Sequence, residues 1–149
     1  MPVNEISIIA DIGGTNMRVA QTDEYGNITN ITIYACADYL GLAEVLSNFL
    51  TRYQLLGKKI SACLAIACPV DKDLIVMTNL PWQFSQQALQ AQLQLHKLIL
   101  INDFTAIAHA IAHLTDSQKV QIGTGHVVSN KPISICGPGT GLGVANLVP

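Results

Sequence analysis

The first third of the chain alternates between β-rich runs and polar loops. Ile6 to Asp11, Met17 to Thr22 and Ile28 to Ala35 carry the branched and aromatic residues that suit a pleated surface. Between them lie Asp11-Ile12-Gly13-Gly14-Thr15-Asn16 and Asp23-Glu24-Tyr25-Gly26-Asn27, links short enough to predict antiparallel neighbours. From Tyr39 to Tyr53 the period changes: Leu42, Ala43, Leu46, Phe49, Leu50 and Tyr53 recur at spacings of three and four, which predicts an amphipathic helix ending near Gly57. Ile60 to Cys68 is apolar on both pleat faces, as expected of a central strand covered by helices on both sides, and Pro69 ends it. A polar turn at Asp71-Lys72-Asp73 precedes a short strand, Leu74 to Thr78, and Ser85 stands where an N-cap would open a Gln-rich helix through about Gln94. Lys97 to Ile101 predicts the next buried strand. Phe104, Ile107, Ala108 and Ile111 share one face of the helix after it, and Ile133 to Cys136 forms a strand before a glycine-rich loop and Val144 to Val148.

The resulting order, βββαβ(β)αβαβ, describes an α/β mixed sheet with three leading antiparallel strands and helices on both faces. A Rossmann unit would instead alternate strand and helix from its start. In element order the layout is similar to the ribonuclease-H-like half found in sugar kinases, actin and Hsp70 proteins.

Composition narrows the picture further. Half of the 149 residues are hydrophobic and 12% are charged, which excludes a disordered tail and leaves enough apolar surface for a sizeable core. Eight Lys and Arg against ten Asp and Glu give a net charge of −2 without a basic cluster, so nucleic acid is not expected as a partner. Met1-Pro2-Val3-Asn4-Glu5 lacks the charged and apolar regions of a secretory signal. Ile60 to Val70, the most apolar stretch, is much shorter than the roughly 18 residues of a membrane span. A soluble, cytoplasmic protein is expected. Cys36, Cys63, Cys68 and Cys136 form no C-x-x-C pair, and Cys63 and Cys68, five apart, would point to opposite faces of a sheet; reduced, buried thiols are expected.

Three loops carry candidate chemistry. In Asp11-Ile12-Gly13-Gly14-Thr15-Asn16 the paired glycines let backbone N–H groups approach an anion without Cβ obstruction. Asp11 adds a carboxylate that could hold Mg²⁺ through water, and Thr15 and Asn16 add neutral donors. The plain alternative is a hairpin turn with glycine at positive φ. Gly137-Pro138-Gly139-Thr140-Gly141-Leu142-Gly143 is a second strand, glycine hairpin, strand arrangement offering N–H groups and the Thr140 hydroxyl to a phosphate; its alternating glycines fit no G-x-G-x-x-G register, and the chain has no P-loop motif. Asn102-Asp103 closes a buried strand and opens a helix. A carboxylate at a strand's carboxyl end can take a hydroxyl proton as that oxygen attacks a phosphoryl group, although Asp before a helix is often only an N-cap. Asn102 beside it suits a polyol site. His109 and His113 are four apart but lack the Glu of H-E-x-x-H and lie roughly opposite the apolar stripe of their helix; a solvated face is expected. Trp82 suits either the core or a wall of the site, with the core favoured.

Taken together, Asp11-Ile12-Gly13-Gly14-Thr15-Asn16-Met17-Arg18, Met77-Thr78-Asn79-Leu80-Pro81-Trp82, Ile101-Asn102-Asp103-Phe104-Thr105-Ala106 and Gly137 to Gly143 resemble the bacterial-type glucokinase family, from about residue 6 to the last residue. The resemblance implies ATP-dependent phosphorylation of glucose at its 6-hydroxyl, in the cytoplasm, on an actin-like (hexokinase-type) fold. It implies that Ala10, Asp11, Ile12, Gly13, Gly14, Thr15 and Asn16 bind the nucleotide, that Gly139, Thr140 and Gly141 form a second phosphate loop, and that Asn79, Asn102 and Asp103 bind the sugar, with Asp103 the general base. ATP and Mg²⁺ are the implied cofactors. Members of the family run to roughly twice this length, so residues 1–132 are expected to form the N-terminal ribonuclease-H-like lobe and residues 133–149 to begin a second lobe. This chain alone is then expected to fold but not to turn over, and the open edge of Val144 to Val148 favours a homo-oligomer. The competing reading is a non-catalytic sugar-binding or regulatory module on the same fold.

Overall fold

A computed structural model describes residues 5–138 and 142–149 of the chain. By compactness the chain divides into two units, Met1–Asp103 and Phe104–Pro149.

The first unit is built on a five-stranded mixed sheet of order β3-β2-β1-β4-β7, made of β1 (Ile6–Ile12), β2 (Asn16–Thr22), β3 (Ile28–Ala35), β4 (Ile60–Ile66) and β7 (Lys97–Asn102). β1, β2 and β3 pair antiparallel, as their short links require, whereas β4 and β7 run parallel to β1. The parallel pairs need crossovers. α1 (Leu42–Arg52) makes the first; a two-stranded ribbon, β5 (Leu74–Val76) with β6 (Gln83–Ser85), and α2 (Gln86–Gln92) make the second.

Alternation of side chains commits one sheet face to the core. Ile8, Ala10 and Ile12 of β1 lie beside Ala62, Leu64 and Ile66 of β4 and beside Met17 and Val19 of β2, all buried in one cluster. The apolar stripe of α1, with Leu46 and Phe49 fully buried, joins the same cluster, as do Leu89 of α2 and Trp82. Trp82 is therefore a core anchor. Both helices of this unit thus pack on the same sheet face. The expectation that Ile60 to Cys68 is covered by helices on both sides is corrected for this unit, whose helices cover one face: Ile60, Ala62, Leu64 and Ile66 are buried, whereas Ser61, Cys63 and Ala65 are half-buried.

Element ends shift for local reasons. The helix expected from Tyr39 starts at Leu42, because Cys36–Asp38 form a 3₁₀ turn and the Glu44 carboxylate accepts the Leu40 N–H (2.7 Å), holding the chain outside the helix until Gly41. Its exit is as anticipated: Gln54 and Gly57 take positive φ (54° and 76°). β4 ends at Ile66, two residues early, where the Cys68 N–H turns back to the Ile66 carbonyl (2.8 Å). The strand expected over Leu74 to Thr78 stops at Val76, and its partner β6 has no counterpart in the sequence pattern. Three residues are too few to show a period. Ser85 ends β6 and also caps α2, its Oγ accepting the Ala88 N–H (3.0 Å).

The second unit holds α3, which opens at Asp103 (Asp103–Ile111), and the hairpin of β8 (Ile133–Pro138) with β9 (Leu142–Leu147), in antiparallel register. Among the described residues between them only Asp116–Gln118 is regular, a 3₁₀ turn closed by a Thr115–Gln118 capping box. The α3 stripe is less buried than its spacing suggests: Ala108 is buried but Ile107 is 44% exposed. His109 and His113 are exposed. No helix among the described residues is long and apolar enough to cross a membrane.

Two features of this fold are open to measurement. The Tyr34 hydroxyl is buried, edge-on to Tyr39 with ring centroids 5.6 Å apart, and has no hydrogen-bond partner among the described residues. A buried unsatisfied hydroxyl costs about 1–3 kcal/mol, so Tyr34→Phe should leave the denaturant midpoint unchanged or raise it. A clear loss of stability would mean that the hydroxyl is paired. At the sheet's lower end Glu5 accepts from Lys59 Nζ (2.8 Å) and from the Ser61 hydroxyl, and these bonds lower its pKa to about 2. A depressed carboxylate pKa gives stability that is present above the ordinary value of 4.5 and lost as pH falls towards 2. The melting difference between wild type and Glu5→Gln should therefore be small but visible near neutrality and shrink to nothing across that window.

Candidate functional site

Parallel register determines where the site forms. Ile12 pairs with Ile66, and Ile66 pairs with Asn102, so β1, β4 and β7 all end at one edge of the sheet. The Gly13-Gly14-Thr15 loop, the Ala67-Cys68-Pro69 exit and the Asn102-Asp103 pair leave from that edge side by side. Ligands of open α/β sheets collect at the carboxyl ends of strands.

The first loop spends its carbonyls inward. Gly13 N–H donates to the Asn16 carbonyl (3.1 Å), Cys36 N–H to the Thr15 carbonyl (2.9 Å) and the Cys36 thiol to the Gly13 carbonyl (3.7 Å). The N–H groups of Gly14 and Thr15 donate to no other described residue, and the Thr15 and Asn16 side chains are exposed. Two adjacent unspent N–H groups flanked by polar side chains form a cradle for an anion. The glycines are not there for positive φ; neither Gly13 nor Gly14 adopts it. Space is the reason: a Cβ on Gly14 would lie 2.8 Å from the Cβ of Asn79, and one on Gly13 would lie 3.3 Å from the Asn16 carbonyl. Asn79 is brought here by the β5–β6 ribbon, whose Met77 N–H donates to the Trp82 carbonyl (3.0 Å) between two buried side chains.

Asp11 lies opposite Arg18 in the β1–β2 register, and Arg18 Nη1 donates to one of its carboxylate oxygens at 2.9 Å. Both side chains are more than half exposed, so the pair adds little stability. It does occupy half of the carboxylate considered for Mg²⁺. That pairing was countable from the hairpin, because residues seven apart across a short link face each other. Among the described residues no three His, Cys, Asp or Glu side chains gather as a metal site. A single carboxylate suits a Mg²⁺ held mainly by a ligand's phosphates, the usual way proteins hold this ion.

Asn102 and Asp103 are half-buried at the junction of β7 and α3. The Asn102 amide donates to the Cys68 carbonyl (3.4 Å), tying the end of β7 to the exit of β4. Burial pushes the pKa of the Cys68 thiol up, and the nearby Asp103 carboxylate pushes it in the same direction. Cys68 therefore lines the site as a neutral thiol. The sequence pattern marked it only as a buried cysteine, and nothing short of the β4–β7 register shows it beside Asp103.

The second glycine motif divides in two. Gly139, Thr140 and Gly141 lie outside the described residues. Gly137 and Gly143 pair across the β8–β9 hairpin, and a Cβ on Gly143 would collide with the Phe104 ring while one on Gly137 would lie 2.8 Å from its Cζ. These two glycines are a floor for an aromatic ring, a packing role that the spacing of the motif does not reveal.

A family model described as glucokinase matches residues 8–149. A glucokinase from Colwellia psychrerythraea is 57% identical over 143 residues, and one from Photorhabdus laumondii is 44% identical over 147 residues. These alignments cover 96% and 98% of this chain but 43% and 45% of those proteins, so the chain spans less than half the length of the curated relatives it matches. The crystal structure of a glucokinase from an Antarctic psychrotroph superposes with a TM-score of 0.79 at 34% identity, covering 96% of this chain and 46% of that one.

The site's thiol chemistry is directly measurable. Cys36 and Cys68 are buried and their pKa values are raised by burial, whereas Cys136 is exposed. An aromatic disulfide reagent at pH 8 should modify Cys136 first and reach Cys36 and Cys68 only under denaturant, as peptide mass mapping would show. Early modification of Cys68 would mean that the β4 exit is open.

Proposed function

The chain belongs to the glucokinase family, and on that premise we propose that it is the N-terminal, ribonuclease-H-like lobe of an actin-like kinase that transfers a phosphoryl group from ATP to the 6-hydroxyl of glucose. In this reading residues 1–132 form that lobe and residues 133–149 begin the second. The observation that carries the proposal is the common edge of β1, β4 and β7, which brings an anion cradle and a carboxylate–amide pair to one place. Phosphoryl transfer needs both, since it proceeds by positioning and by stabilising charge on the transferred group.

The roles follow from the chemistry of each group. Ala10 to Asn16 hold the nucleotide, with the Gly14 and Thr15 N–H groups and the Thr15 hydroxyl directed at phosphate oxygens; Gly139, Thr140 and Gly141 form the second phosphate loop. Asn102 and Asp103, with Asn79 from the adjacent ribbon, bind the hydroxyls of the sugar, the amides donating and the carboxylate accepting. Asp103 takes the proton of the 6-hydroxyl as that oxygen bonds to the γ-phosphorus and the bond to the β–γ bridging oxygen breaks, releasing ADP. Asp11 would help hold a Mg²⁺ ion through water, and the ion would supply charge neutralisation at the phosphates. The Asn102–Cys68 bond fixes the end of β7 and with it the direction in which Asp103 faces. The setting is the cytoplasm and the partners are glucose and ATP, without nucleic acid or membrane.

In the intact enzyme Asp103→Asn should lower kcat by ~10²–10⁴-fold while glucose binding, followed by calorimetry, changes little. Retention of most of the kcat would demote Asp103 to a helix-opening residue. A wild-type protein that binds glucose but releases no ADP from ATP in a coupled assay would instead be a sugar-binding or regulatory module, and the kinase reading would fall.

A further inference from the structure

Gly14 is the one residue of the Gly13–Asn16 loop whose backbone makes no hydrogen bond among the described residues. Gly13 donates to Asn16 and accepts from the Cys36 thiol, Thr15 accepts from the Cys36 N–H, and Asn16 enters the β2–β3 ladder opposite Ala35. All of these ties come from within the β1–β2–β3 side of the sheet. The three atoms nearest to a Cβ placed on Gly14 all belong to Asn79: Cβ, Cγ and Nδ2, at 2.8, 3.6 and 3.7 Å.

The nearest of these atoms is a Cβ, and that decides how rigid the contact is. A side-chain end can swing aside, but a Cβ moves only with its backbone. The backbone of Asn79 is held from both directions. Met77 and Trp82 are buried in the core on either side of it, the Met77 N–H closes the turn on the Trp82 carbonyl at 3.0 Å, and Ile75 and Phe84 continue the β5–β6 register behind them. Asn79 is thus the tip of a ribbon anchored in the core, resting on the loop residue that no hydrogen bond from the described residues secures.

We infer that Asn79 is a positioning residue that sets the place of Gly14, and so orients the two unspent N–H groups of the phosphate loop, in addition to any contact with the sugar. The inference rests on the reading of this loop as a phosphate cradle for its consequence in catalysis, but not for its mechanics. It also explains the glycine: φ at position 14 is not positive, and the approach of Asn79 excludes a side chain there. Preorganised donors are effective only while held near the productive geometry, so releasing this contact should weaken the nucleotide side of the site first.

Steric complementation tests it. Gly14→Ala forces a Cβ against Asn79, Asn79→Gly removes the opposing Cβ, and the double variant restores the space. Asn79→Ala keeps the Cβ contact and removes only the amide. Amide hydrogen exchange at Gly13 and Cys36, whose N–H groups are bonded to the Asn16 and Thr15 carbonyls, reads the loop itself, without requiring activity: it should be several-fold faster in Asn79→Gly and close to wild type in Asn79→Ala, with the global melt little changed. In the intact kinase Gly14→Ala should raise KM for ATP by about 10–100-fold, and adding Asn79→Gly should recover most of that loss. Unchanged exchange in Asn79→Gly, a double variant no better than Gly14→Ala, or a rise confined to KM for glucose would each overturn the inference. Faster exchange with rescue by the double variant, but no movement in KM for ATP, would uphold the mechanical role of Asn79 and instead overturn the assignment of the loop to phosphate.

Discussion

The parallel pairing of β1, β4 and β7 is the constraint on which the rest of this structure depends. Side chains on a strand alternate, so the burial of Ile8, Ala10 and Ile12 beside Ala62, Leu64 and Ile66 leaves one acceptable register. A slip by one residue would turn the core face to solvent. That register also aligns the strand ends, and the loops that follow Ile12, Ile66 and Asn102 emerge together because of it. Packing of α1 and α2 on one face is therefore what assembles the candidate site at the edge, although neither helix contributes a residue to it.

Polar groups at that edge are organised by subtraction. The loop carbonyls of Gly13, Thr15 and Asn16 are consumed by Cys36 and by the loop itself, whereas the N–H groups of Gly14 and Thr15 donate to no described residue. The Cys68 carbonyl is consumed by the Asn102 amide, and its thiol is kept neutral by burial and by the carboxylate of Asp103. The outcome is a surface that offers donors to an anion on one side and a carboxylate with an amide to hydroxyl groups on the other. Arg18 modifies this arrangement by taking one oxygen of Asp11, which leaves that residue a lesser part of the proposed anion site than its position in the motif suggests.

Glycine appears in both loops for the same physical reason. At position 14 it makes room for Asn79, and at positions 137 and 143 it makes room for the ring of Phe104. Among the described glycines positive φ is instead found at Gly26, Gly57 and Gly123. Glycine-rich motifs therefore record close approach as much as backbone freedom, and the partner that approaches is not adjacent in sequence.

Local order along the chain was determined by the sequence alone. The periods of β1 to β3, the stripe of α1 and the strand pattern of β4 and β7 place each element within a few residues, because each rests on a run long enough to show its repeat. The four motifs likewise identify the family and the candidate residues. Tertiary structure alone decided the rest. β6 is too short to carry a period, the one-sided cover of β4 depends on which face α1 and α2 choose, and Ile107 is exposed although its spacing would bury it. The meeting of Gly14 with Asn79, of Asn102 with the Cys68 carbonyl and of Phe104 with Gly143 joins residues from 34 to 65 positions apart. Such contacts leave no periodic trace in the sequence, since only the register of the sheet and the path of its crossovers determine which distant residues share an edge.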